Sequence, residues 1–128
     1  MKSENARLES GEGREDLRDR TKRFALRIIR LFQALPLTTE AQIIGKQILR
    51  SATSVGAQYR EAFRAKSDAD FINKLQSCSQ ELEETVYWLE LLIEAEIMSA
   101  HKLTDLIQEA DELMSIFVTI VRKVKQRQ

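Results

Sequence analysis

Residues 50–71 read RSATSVGAQYREAFRAKSDADF, and this stretch decides the fold. Ala52, Val55, Tyr59 and Phe63 recur at intervals of three and four, the spacing of one apolar helical face. Ser67 then stands before Asp68 and Asp70. A hydroxyl followed by carboxylates is a helix start: the oxygen caps free backbone N–H groups, and the acids meet the positive end of the helix dipole. The stretch is therefore the second half of one helix, a corner, and the beginning of the next.

Working outward, Ala41, Gly45 and Ile48 extend the first of these helices upstream to about 39–64, with Thr38 or Thr39 as its cap. Glycine inside a helix costs about 1 kcal/mol relative to alanine. Keeping both Gly45 and Gly56 implies that another helix packs close to this face. Before it, Leu17, Thr21, Phe24, Ile28, Leu31 and Leu35 mark a helix over 14–34, which Pro36 terminates. After the corner, Phe71, Leu75, Cys78, Leu82, Val86, Leu89 and Ile93 predict a helix over 68–96. Ser99 then caps a last helix over 100–126, striped by Leu103, Leu106, Ala110, Leu113, Phe117, Ile120 and Val124. Four long helices with short links must lie antiparallel to their neighbours. The reading is all-α: an up-down-up-down antiparallel four-helix bundle over 14–128, preceded by a flexible tail at 1–13.

Composition is compatible with this. The chain has 128 residues, 43% of them hydrophobic, with four Gly and one Pro. A single domain of this length can bury a core without staples. One cysteine, Cys78, excludes an internal disulfide framework. No apolar run approaches the roughly 20 residues of a membrane span, and the polar N-terminal residues carry no signal-peptide pattern. A cytoplasmic protein with no membrane partner is expected.

Catalytic chemistry finds no footing. His101 stands alone beside a helix start, and Cys78 lies on an apolar stripe. A di-iron bundle needs paired Glu-x-x-His motifs, which are absent, as are phosphate loops, Ser-His-Asp sets and zinc spacings. No enzyme, metal or cofactor is expected. One polar stripe adjoins the core: Ser51, Ser54, Gln58 and Glu61 at intervals of three, four and three. It reads as hydrogen bonding between helices that fixes their register, with a small-molecule site as the alternative. Glu61 is placed to pair with Arg60 or Arg64.

Two surfaces stand out. The first and last helices carry second apolar stripes, Ala25, Ile29 and Phe32, and Ile107, Met114 and Val121. Together they exceed what one bundle core needs and are the candidate interface between subunits. Charge is also sorted along the bundle. Net charge is zero, yet residues 75–115 hold ten acids against one lysine, whereas residues 116–128 hold four basic residues and no acid. The basic end gathers Arg60, Arg64, Lys66, Arg122, Lys123 and Lys125, candidates for contacting nucleic-acid phosphates. A protein-interaction scaffold with no nucleic-acid affinity is the alternative.

The run SATSVGAQYREAFRAKSDADFINKL, followed by ETVYWLELL, resembles the four-helix bundle family of 23S rRNA intervening-sequence proteins, which includes the accessory variability determinant proteins of diversity-generating retroelements. Ser54, Tyr59, Arg60, Glu61 and Ala62 match its motif, as do Ser67, Asp70 and Phe71; Gln58 stands where the family has asparagine. The resemblance spans about residues 17–125. It implies a bacterial cytoplasmic bundle, often a homopentamer, whose retroelement members bind nucleic acid and the reverse transcriptase through a basic surface. This chain departs from that strongly basic type in having no net charge.

Overall fold

A computed structural model of the chain describes residues 16–128, so the tail expected at 1–13 lies outside the described residues. Those described form four helices and no strand: α1 (Leu17–Ala34), α2 (Thr39–Ala62), α3 (Asp68–Glu94) and α4 (Ala100–Arg127). Each packs on the next, and α4 returns to close the ring against α1, the loosest of the four pairings. The structure is the antiparallel four-helix bundle expected.

Local chemistry explains where each helix begins. Asp16 caps α1 by accepting from the Arg18 N–H at 2.8 Å. Thr38 caps α2 through the Ala41 N–H at 3.4 Å. At α3, Ser67 Oγ accepts from the Asp70 N–H at 3.1 Å, while Asp70 Oδ2 accepts from the Lys66 N–H at 3.3 Å. This reciprocal pair satisfies two backbone donors at the corner. Ser99 occupies the cap position of α4, but its side chain makes no capping hydrogen bond, unlike the expectation.

Two ends fall short of their expected positions. α2 stops at Ala62, two residues early, because Phe63 and Arg64 donate to Arg60 and Glu61 three residues back, tightening the last turn. α3 stops at Glu94 because Glu96 turns into the left-handed region, with φ of 60°. The Glu96 N–H then reaches the Ile93 carbonyl at 3.0 Å and the Ile97 N–H reaches Leu92 at 2.9 Å. This is a Schellman closure, usually built with glycine.

The core follows the apolar stripes except late in α3, where Thr85 and Leu92 are buried and the expected Val86 and Ile93 are only half-buried. Phe24, Ile28, Ile48, Leu75, Leu82, Leu89, Leu103, Leu113 and Phe117 are essentially sealed from solvent. Tyr59 sits edge-on to Phe63 at 5.1 Å and tilted against Phe117 at 5.6 Å, which ties the corner to α4. The glycines do what their retention implied. A Cβ on Gly45 would lie 2.6 Å from Leu35 Cδ1 and 2.9 Å from Phe32 Cδ1, and one on Gly56 would lie 3.3 Å from Thr21 Oγ1. α1 and α2 therefore approach closely through both positions.

Candidate nucleic-acid interface

The polar stripe on α2 is engaged with α3. Ser51 Oγ and Thr85 Oγ1 share a buried hydrogen bond of 2.7 Å. Gln58 Nε2 donates to Glu81 at 3.5 Å, and Lys74 Nζ donates to Glu61 at 2.8 Å. Ser54 Oγ donates to the Arg50 carbonyl of its own helix at 2.8 Å. Three of the four thus link two helices at fixed heights, as register-setting groups should. The partner of Glu61 is Lys74, across the groove, rather than Arg60 or Arg64 on its own helix. Farther along, Arg50 donates to Glu81 and Glu84, and the Trp88 indole N–H donates to Glu84 at 3.1 Å. The Trp88 hydrogen bond, helped by Arg50, holds the Glu84 carboxyl below its ordinary range. The rest of the motif stretch also serves the fold: Tyr59 and Phe71 are core residues, and Ser67 and Asp70 close the corner.

The six basic candidates are all exposed but do not form one patch. Arg122 and Lys125 line a groove of about 760 Å³ between α3 and α4, together with Val118, Val121 and four uncharged polar side chains. Arg60 and Arg64 line a separate groove between α1 and α2, of about 370 Å³, beside Arg18, Asp16 and Asp19. There the acids offset much of the positive charge, and the Arg18 guanidinium lies 5.9 Å from the Phe63 ring centre. Lys66 sits at the corner between α2 and α3, and Lys123 lines neither groove. Arg127, also at this end, faces Asp68 at 3.8 Å.

The second apolar stripes do not merge into one surface either. Phe32 leans toward α2, meeting Gly45, so Ala25 and Ile29 lie on that flank of α1. Val121 lines the α3–α4 groove and is buried, with Ile107 and Met114 above it on the same flank of α4. Phe32, Ile107 and Met114 are half-buried against the chain's own core.

What lies between α1 and α4 is charged. Arg20 donates to both oxygens of Glu109, at 2.7 and 2.8 Å, and to Glu112 at 2.8 Å. The Glu109 hydrogen bond is the main cause that raises the Arg20 pKa. Beyond it, Arg23, Arg27 and Arg30 continue the row along α1, with Lys102 and Asp105 opposite. Sorting charge by bundle end hid this row. The signal was present as arginines at 20, 23, 27 and 30, a helical interval of three, four and three.

Burial pushes the Cys78 thiol up to about 12, the reverse of an activated nucleophile. Among the described residues, no group of His, Cys, Asp and Glu could hold a metal ion, and no helix is long and apolar enough to cross a membrane.

Comparison with known proteins agrees with this description. The model of the 23S rRNA-intervening sequence protein family matches residues 15–119. The chain belongs to that family. A crystal structure of a protein of unknown function from the S23 ribosomal protein family of Bacteroides thetaiotaomicron is 40% identical to it. The match covers 81% of this chain and 96% of the other, with a TM-score of 0.76. No curated protein matches. The family carries no established function, so the role must be argued from the surfaces.

Proposed function

We propose that this family member is a non-enzymatic, cytoplasmic bundle that associates with nucleic acid through the end where α4 finishes. The observation that carries the reading is the convergence of Arg122 and Lys125 on one open groove, in a region of the sequence that holds no acid between residues 116 and 128. Ten acids over residues 75–115 lie farther from that end, so the dipole of the molecule points a polyanion toward it.

Self-association is part of the proposal. Ala25 and Ile29 on one flank of the bundle and Ile107 and Met114 on another, above the groove that Val121 lines, are the arrangement that a head-to-tail contact requires and a two-fold contact does not. Such contacts form rings where the rotation between neighbours closes, and a homopentamer with aligned axes would collect the basic ends on one rim.

The test is binding of a labelled structured RNA between about 50 and 200 mM salt, with the oligomer mass fixed by light scattering. Binding should fall with salt, and neutralising Arg122, Lys123 and Lys125 should abolish it. Loss of binding on neutralising Arg27 and Arg30 instead would move the working surface to α1. No binding at the lowest salt would favour the second reading, a protein-interaction scaffold. The feature that favours that reading is Tyr87, 52% exposed on α3 between Glu83 and Glu90.

A further inference from the structure

We infer that the groove between α3 and α4 takes a single-stranded nucleic-acid segment, with its bases turned into the groove and its phosphates on Arg122 and Lys125. The inference rests on the proposed nucleic-acid association and names the form of nucleic acid bound.

The argument is one of matched chemistry. At about 760 Å³ the groove is within the range of sites that enclose drug-sized molecules, far larger than one phosphate needs. Along α4 it runs from Val118 to Gln126, about 12 Å at 1.5 Å per residue. Its exposed apolar carbon comes chiefly from Val118, 47% exposed, with the buried Val121 beneath it. Phosphates gain nothing from valines; the faces of unstacked bases do. On the α3 wall stand Gln76, Ser79 and Gln80, and Gln126 faces them from α4. No hydrogen bond to another described residue engages these four side chains. Each amide has a donor and an acceptor side by side, the combination that reads base edges. Uncharged amides facing apolar carbon, with cations at one side only, suit bases and backbone together. A duplex keeps its base faces stacked inside and would present phosphates to the valines and glutamines. Sequence-tolerant or sequence-reading, recognition of splayed bases belongs to single strands.

The experiment compares a 12-nucleotide unstructured RNA with a 12-base-pair duplex RNA, on the full chain, at two or more salt concentrations. The single strand should bind more tightly. Gln76→Ala with Gln80→Ala should weaken the single strand about tenfold, the loss of one good amide-to-base contact, and leave any duplex binding unchanged. Arg122→Gln with Lys125→Gln should make the dependence of log K on log salt shallower by about 1.4, from about 0.7 per phosphate contact. Replacing the exposed apolar carbon at the groove by a carboxylate, Val118→Glu, should reduce single-strand binding while the helix content stays the same. Equal binding of duplex and single strand, or glutamine variants that bind like wild type, would overturn the inference while leaving nucleic-acid association standing. Absence of binding to either probe would remove both.

Discussion

Single residues in this bundle can be sorted by what a small change would meet. Gly45 and Gly56 both sit inside α2, yet alanine should cost more at the first than at the second. At Gly45 the new methyl would press on buried Leu35 and on Phe32, and overpacking of about 1–3 kcal/mol should exceed the helix-propensity gain of about 1 kcal/mol. At Gly56 the nearest atom is Thr21 Oγ1 at 3.3 Å, a tight but smaller intrusion on a buried hydroxyl, so the same change should cost less than at Gly45, with part of the strain offset by the helix-propensity gain of about 1 kcal/mol. Urea denaturation of the two variants decides this; Gly45→Ala costing no more than Gly56→Ala would refute the closer approach at Gly45. Glu96→Gly should stabilise by about 1 kcal/mol, because glycine adopts the left-handed φ of 60° at no steric cost. Cys78 provides the pH test. Its thiol is held at about 12 in the fold and titrates near 8.5 when unfolded. Between those values the folded state keeps a proton that the unfolded state releases, so stability must fall as pH rises above about 8.5. Wild type should lose more stability than Cys78→Ala between pH 8 and 10, and the native thiol should resist alkylation at pH 8.

At the scale of elements, α2 and α3 are locked by polar groups as well as by packing. Ser51→Ala or Thr85→Val alone should cost about 1 kcal/mol, since each leaves a buried hydroxyl without its partner, and the double variant should cost less than the sum. A strictly additive cycle would mean that the two hydroxyls do not cooperate. The helices themselves were legible in the sequence, because an apolar repeat of three and four survives any detail of packing. Their ends were less so. The expected ends of α2 at 64 and α3 at 96 failed because a tightened turn and a left-handed glutamate are backbone choices that leave no periodic trace. The charged surfaces show the same division. Arg122 and Lys125 were named from their position in the chain, but their separation from Arg60 and Arg64 depends on which flank each side chain occupies. Gln76, Ser79 and Gln80 had no special spacing to single them out, and only α4 lying beside them makes a groove.

For the molecule as a whole, three of the four helix pairings are close and the fourth, between α1 and α4, is looser, with Leu31 and Leu106 at one end and Arg20 bonded to Glu109 and Glu112 toward the other. Arg20 and Glu109 are largely shielded, so their bidentate contact is worth more than a surface pair, while Glu112 is open to solvent. Arg20→Ala should cost about 1–2 kcal/mol and Arg20→Lys should not fully restore it, because an ammonium cannot match both carboxylate oxygens. The consequence is a molecule with a built-in order of opening. Amide hydrogens of α1 should exchange with solvent deuterium before those of α3, and raising the salt should widen that gap by weakening the ionic clasp ahead of the apolar contacts. A bundle of this kind behaves as a firm sheaf of three helices with one fastened flap, and the flap is the helix that carries the arginine row.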